Sequence, residues 1–294
     1  MTAQDDHDEI VTDPILRGAE RLDEFVRALA RDARAGALFF DIDGTLAPIA
    51  PTPADAEVPR PIRALLAKLA ARVGLLALVT GREVGDGRDM LPLRNAVYIG
   101  NHGLQALYPS GEITIAREAL PYVPAVETAA RRAHALTEQL PELFIEDKRL
   151  SVVVHYRQVS DVHTALAFID HAVAGPARQD GLEVMTGKMA IEIRPPVPVT
   201  KGTAIGDLLR GGSYDAALFA GDDLTDVTAL KALRLWAGAG DRVGLGVAVA
   251  GDETPAKVLF EADVHVAGVD GMGALIAQLV EATDEDEVTP PTSP

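Results

Sequence analysis

The chain has 294 residues, no cysteine and a formal net charge of -17, from 44 acidic against 27 basic residues. Without cysteine there is no disulfide framework, no thiolate-held zinc or iron–sulfur cluster and no thiol nucleophile. So acidic a chain lacks the basic face that nucleic acid or an anionic membrane requires, so neither is expected as a partner, and an anionic ligand needs locally concentrated positive charge or a metal.

Residues 1–12 and 284–294 are charged and short of apolar side chains, and read as disordered tails. The first tail is the reverse of a signal peptide, and no stretch reaches the roughly 18 apolar residues of a membrane span, so a cytoplasmic location is expected. Asp13-Pro14 then opens a helix, with Asp as cap and Pro at the first position. Residues 37–42 form a short apolar run ending in acid, which predicts a strand buried on both faces, as in a parallel sheet. The pattern repeats: helix 60–73, strand 75–79 ending at Thr80-Gly81-Arg82, a glycine-rich helical segment, and strand 97–99 running into Gly100-Asn101-His102-Gly103.

The middle of the chain differs. Residues 104–108 and 112–115 flank Pro109-Ser110-Gly111, a hairpin signal. Helix 122–139, strands 143–147 and 150–157, helix 160–173, and strands 182–186 and 189–194 follow, an αββαββ order joined by short turns. Such pairing predicts an antiparallel sheet with helices on one face. Pro195-Pro196-Val197-Pro198 reads as a stiff linker. Helix 201–210 then leads to strand 216–220, which ends at Gly221-Asp222-Asp223, and short strands at 247–249 and 264–266 are each followed by helical residues. The fold expected is α/β: a doubly wound parallel-sheet core of residues 13–104 and 198–283, interrupted by an inserted α+β cap domain over 105–197.

Four segments end predicted parallel strands with polar residues, and that edge is where open α/β sheets bind ligands. Asp41 and Asp43 stand two apart at a strand end, so they point to one side, where two carboxylates repel unless a cation or proton lies between them. Gly44 then allows a tight turn. Thr80 could present a hydroxyl to a phosphoryl oxygen, or could simply cap the next helix. Lysine is scarce, yet Lys148, Lys188 and Lys201 fall in the segments of interest, which suggests places where a compact ammonium is needed. Asp222, Asp223 and Asp226 crowd a third strand end; acids so placed suit a hard cation such as Mg²⁺, although Asp226 also reads as an ordinary helix cap. In the middle region Glu146, Lys148, Arg157, Lys188 and Glu192 alternate with apolar neighbours. Charged side chains make strong directional hydrogen bonds to sugar hydroxyls, but a solvated sheet face with cross-strand ion pairs would give the same pattern. His155 and Tyr156 are adjacent and face opposite sides.

The order Asp41-x-Asp43-Gly44-Thr45, Thr80 after the second strand, Lys201-Gly202, then Gly221-Asp222-Asp223 resembles the haloacid dehalogenase (HAD) phosphatase superfamily. Finer signatures resemble its trehalose-6-phosphate phosphatase branch: Gly100-Asn101-His102-Gly103, Glu146-Asp147-Lys148 with His155-Tyr156-Arg157, Gly187-Lys188 with Glu192-Ile193-Arg194-Pro195, and Gly221-Asp222-Asp223-x-Thr225-Asp226. The pattern departs at Ile42, where Tyr is usual, at Thr80, often Ser, at Val227, usually acidic, and at Leu230, usually aromatic. The resemblance implies a HAD-like core with a cap, and hydrolysis of a sugar phosphate through an aspartyl-phosphate with Mg²⁺. It implies Asp41 as nucleophile, Asp43 as acid and base, Thr80 and Lys201 on the phosphoryl oxygens, and a metal held by Asp41, Asp43, Asp222 and Asp223, with Asp223 also orienting Lys201. Arg82, Asn101, His102, Glu146, Lys148, Arg157, Lys188 and Glu192 become the substrate-binding set, and a trehalose-phosphate synthase the neighbouring enzyme of the pathway. A signalling receiver also uses Asp, Thr, Lys and Mg²⁺, but it has no acid two residues after the nucleophile and no large insert.

Overall fold

The computed structural model describes residues 14–284 apart from Pro51 and Lys188, so both predicted tails, except for Asp284, lie outside the described residues, as does the capping Asp13. In chain order the elements are α1 (Pro14–Arg31), β1 (Gly36–Phe40), α2 (Arg60–Arg72), β2 (Leu75–Val79), α3 (Val84–Met90), β3 (Ala96–Gly100), β4 (Gln105–Leu107) and β5 (Ile113–Ile115). There follow α4 (Val123–Leu136), β6 (Phe144–Asp147), β7 (Val152–His155), α5 (Val162–Ile169), α6 (Gly175–Gln179), β8 (Glu183–Gly187) and β9 (Ala190–Arg194). The chain closes with α7 (Lys201–Gly211), β10 (Ala216–Gly221), α8 (Val227–Ala237), β11 (Val243–Ala250), α9 (Ala256–Glu261), β12 (Val264–Ala267) and α10 (Gly268–Ala282). Among the described residues no helix is long and apolar enough to cross a membrane.

Eight strands form one sheet in the order β12-β11-β10-β1-β2-β3-β4-β5, parallel from β12 to β3. Alternation along β1 sends Leu38 and Phe40 to one face, against Phe25 and Leu29 of α1, Leu66 and Leu69 of α2, and Ile276 and Leu279 of α10. Ala37 and Phe39 go to the other, against Ile205 and Leu209 of α7 and Leu230 and Leu233 of α8. Helices on both faces explain why β1 reads as an uninterrupted apolar run.

A second sheet, β6-β7-β9-β8, is wholly antiparallel. Its Val152, Val154, Ile191 and Ile193 pack on Val126, Ala133 and Ile169 of α4 and α5. The other face presents Glu146, Val153 and Glu192 in cross-strand register. The predicted strands and helices of this region form, with α5 running on through a wide turn at Asp170–Ala174 into α6. One expectation fails: the 104–115 hairpin, read as the start of the insert, pairs antiparallel on β3 and extends the large sheet. Its local turn signal carries no information about which sheet its edge joins. Strand β11 also begins at Val243, earlier than expected, because Gly244 and Gly246 hide a buried strand from an apolar count.

Candidate active site

β1, β2 and β10 lie side by side and parallel, so their carboxyl ends bring residues 41–45, 80–82 and 222–226 together. The α7 N-terminus is fastened nearby: Thr200 accepts the Thr203 N–H, Thr203 Oγ1 accepts the Thr200 N–H, and the Gly202 N–H donates to Thr228 Oγ1. That places the first residue of the helix, Lys201, only 3% exposed, with Nζ 2.6 Å from Asp41 Oδ1 and 2.7 Å from Asp226 Oδ1. Burial alone would lower the lysine pKa, but Asp226 and Asp41 overcome it and hold the ammonium charged above its ordinary value. Burial pushes the Asp41 carboxyl well above the usual range against the pull of Lys201, with Asp226 and Asp222 adding repulsion. Burial, then Asp226, pushes Asp222 up to about 6 although Thr45 Oγ1 donates to its Oδ1 at 3.0 Å. Gly44, at φ 85°, lets the backbone run so close to Asp222 that a Cβ there would collide with the carboxylate.

Oxygens of Asp41, Asp222 and Asp226 lie within 4.8 Å of one another. Asp226 is fully buried and spends Oδ1 on Lys201 and Oδ2 on the N–H groups of Asp222 and Asp223, so it braces the turn rather than facing a ligand. This corrects two expectations. Asp226, not Asp223, orients Lys201, and the Asp223 carboxylate is exposed, paired with Thr225 and absent from the cluster. An all-oxygen set with more negative charge than Lys201 offsets fits a hard divalent cation, for which Asp41 and Asp222 are the carboxylates left available.

The cleft above these groups encloses about 380 Å³, within the small-ligand range of about 300–1,000 Å³. Asp41, Asp43, Arg82 and Lys201 line its core side, and Glu146 and Lys148 its far wall. Arg82 grips Asp43 with both arms, Nε to Oδ2 at 2.7 Å and Nη2 to Oδ1 at 2.6 Å. Glu146 Oε2 lies 3.2 Å from His155 Nε2, and its Oε1 3.7 Å from Lys148 Nζ. Burial would raise the Glu146 pKa, but His155 and Lys148 outweigh it and keep the carboxylate ionised. His102 reaches the cleft from a left-handed backbone at φ 56°. Burial and the neighbouring Lys201, Lys148 and Arg194 lower its pKa to about 3, so it is neutral at pH 7, and its Nδ1 is buried without a partner among the described residues.

Other predicted residues are not brought to this cleft. Thr80 is buried and its hydroxyl accepts the Arg82 N–H at 3.1 Å, bracing the turn that carries the arginine. Asn101 donates to the Lys148 carbonyl at 3.0 Å and to Gln105 at 3.1 Å, and accepts from Ser151; it ties the two sheets together. Arg157 is exposed, Glu192 faces a small cavity beside Arg194, and Lys188 lies outside the described residues. Thr45 and His155 were not assigned chemistry from the sequence, and Asp226 reads there only as a cation ligand or a helix cap. Thr45 stands inside the Asp-x-Asp-Gly-Thr motif, whereas the pairings of His155 with Glu146 and of Asp226 with Lys201 become visible only across space.

A family model described as trehalose-phosphatase matches residues 39–250. The trehalose-phosphate phosphatase of Mycolicibacterium paratuberculosis is 34% identical over 206 residues, covering 68% of this chain and 52% of that protein, so the chain spans about half the length of the curated relatives it matches. A solved trehalose-6-phosphate phosphatase related protein superposes with a TM-score of 0.68 at 28% identity, over 83% of this chain and 97% of that one. A haloacid dehalogenase-like hydrolase from Bacteroides thetaiotaomicron shares the fold at a TM-score of 0.57 and 16% identity, over 83% and 99%.

Proposed function

The chain belongs to the trehalose-phosphatase family, and from that membership we propose that it hydrolyses trehalose 6-phosphate to trehalose and inorganic phosphate with Mg²⁺. The fold is the haloacid dehalogenase one. The observation that carries the reading is the buried Lys201–Asp41 pair at the strand ends, facing Glu146 and Lys148 across one cleft. Asp41 attacks phosphorus and the bond to the sugar oxygen breaks; Asp43 gives that oxygen its proton. Water then adds to phosphorus, Asp43 takes its proton, and the bond to Asp41 breaks to free phosphate. Lys201 meets the charge that develops on the phosphoryl oxygens, and Asp226 fixes where it does so. A cation on Asp41 and Asp222 would neutralise charge between nucleophile and phosphate. A trehalose-phosphate synthase would supply the substrate.

Phosphate release across a panel of sugar phosphates, with and without Mg²⁺, tests the reading. Trehalose 6-phosphate is expected to lead the panel; a stronger response to another sugar phosphate would move the substrate and leave the chemistry. Glu146→Ala should lower kcat/KM for trehalose 6-phosphate about ten- to hundredfold, the value of a lost charged hydrogen bond of about 1.5–3 kcal/mol, and leave an aryl phosphate nearly untouched. Equal loss on both substrates would remove Glu146 from sugar recognition.

Cation binding has a readout free of turnover. Mg²⁺ should raise the melting temperature of the wild type, because a ligand of the native state stabilises it. Asp222→Asn should melt higher than the wild type without metal, since the Asp222 carboxylate is ionised at neutral pH against burial and Asp226 repulsion, and should lose the Mg²⁺-dependent rise. A rise of wild-type size in that variant would place the cation elsewhere.

A further inference from the structure

The second sheet is joined to the core by two stretches of chain, residues 116–122 and 195–200, and both are far in sequence from Glu146 and Lys148, which form the far wall of the cleft. The turn between β6 and β7 supplies a nearer attachment. The Lys148 N–H donates to the Ser151 carbonyl at 2.9 Å and the Leu150 N–H to the Lys148 carbonyl at 2.8 Å, with Arg149 left-handed at φ 65°. Leu150, 1% exposed, packs with Leu104 of the core. Asn101 enters the turn from the core side and is 2% exposed. Its Nδ2 donates to the Lys148 carbonyl at 3.0 Å and to Gln105 Oε1 at 3.1 Å, and its Oδ1 accepts from the Ser151 hydroxyl at 3.4 Å. Both amide protons are therefore spent inside the protein and none is left for a substrate. The Asn101 backbone N–H donates to the Arg82 carbonyl at 2.7 Å. One residue thus runs from the core loop that carries Arg82 to the peptide that carries Lys148.

We propose that Asn101 is a positioning residue: its side chain clamps the β6–β7 turn to the core, sets where Glu146 and Lys148 stand over the cleft, and so selects the substrate without touching it. The clamp stands on the contacts alone, and its kinetic consequence rests on the phosphatase reading above. Glu146 lies two residues from the clamped peptide and its Oε1 is 3.7 Å from Lys148 Nζ, so both groups move with the turn. A misplacement of about 1 Å in groups that orient a substrate can cost about 10²-fold. The backbone at Asn101 is left-handed, at φ 49°, which glycine adopts without strain, so Asn101→Gly keeps the chain path and the N–H to Arg82 and deletes the clamp.

Amide hydrogen exchange of the free protein reads the clamp without a substrate. In Asn101→Gly the Lys148 and Leu150 amides should exchange about tenfold faster than in the wild type, the effect of a lost buried hydrogen bond on local opening. Kinetics with Mg²⁺ then read the positioning. The kcat/KM for trehalose 6-phosphate should fall about ten- to hundredfold, chiefly through KM, whereas that for p-nitrophenyl phosphate, which has no sugar to be read, should fall less than about threefold. In a Glu146→Ala/Lys148→Ala background the same substitution should cost trehalose 6-phosphate less than about threefold, because the groups it positions are gone and residues acting through each other are not additive. Ser151→Ala, which removes only the hydroxyl held by Oδ1, should act in the same direction by about two- to fivefold, and it decides the matter where Asn101→Gly does not fold. Wild-type exchange at Lys148 and Leu150 overturns the clamp. An equal loss on both esters, or a loss that persists in full beside Glu146→Ala/Lys148→Ala, overturns the positioning role. If another sugar phosphate leads the panel, the same loss is expected on that ester; if none leads, the substrate reading fails while hydrogen exchange still decides the clamp.

Discussion

Asp41→Asn is expected to remove turnover of every phosphate ester, by on the order of 10⁴-fold or more, while the protein still folds. The amide is nearly isosteric, but it cannot form the acyl phosphate. Folding should survive because the substitution removes a carboxylate whose pKa burial already drives up, and Lys201 keeps Asp226 as its partner at 2.7 Å. The melting temperature is therefore expected within a few degrees of the wild type, and no phosphoryl group should be trapped on the protein after rapid quenching with acid. A variant that retains a substantial share of Mg²⁺-dependent phosphate release would remove Asp41 from the role of nucleophile.

That prediction was reachable from the sequence, because Asp41 sits where local rules speak plainly. An apolar run buried on both faces ends in acid, and a second acid follows at strand spacing with a glycine after it. The same rules located β2, β10, α7 and the antiparallel sheet between them. They could not separate Asp223 from Asp226. Both lie in the turn after β10, and the choice depends on which carboxylate is folded under the two N–H groups of residues 222 and 223. Asn101 was misread for a similar reason. Its glycine-flanked loop marks a special backbone, and φ is indeed 49°, but its side chain reaches the Lys148 carbonyl 47 residues away, a partner no local pattern names. The 104–115 hairpin announced its turn and not its neighbour. In each case the intrinsic preference was legible and the long-range partner was not.

Burial and mutual repulsion raise the Asp41 and Asp222 carboxyls, and Lys201 is the cation placed between Asp41 and Asp226. Lys201→Ala is expected to be inactive and also strongly destabilised. It leaves Asp41 and Asp226 as like charges in the interior, 4% and 0% exposed, with the cation between them gone. Removing one partner from a buried ion pair typically costs about 3–5 kcal/mol. For a chain of this size that is a melting temperature ~10 °C lower.

The pH dependence gives the loss a signature. Asp41 has a raised pKa in the folded protein even with Lys201 present, and the variant removes the first influence opposing that rise. A carboxyl whose folded pKa lies above its unfolded one binds more protons when folded, so stability increases as pH falls toward the unfolded value. Lys201→Ala should therefore recover part of its deficit between pH 7 and pH 5, followed by thermal melting in metal-free buffer. Adding Asp226→Asn to it should recover part of the deficit at pH 7 as well, because one of the two stranded charges is then gone. A Lys201→Ala protein that melts like the wild type at pH 7 would mean that the ammonium is not what compensates these buried carboxylates. The contacts at 2.6 and 2.7 Å would then be a consequence of the fold and not a condition of it.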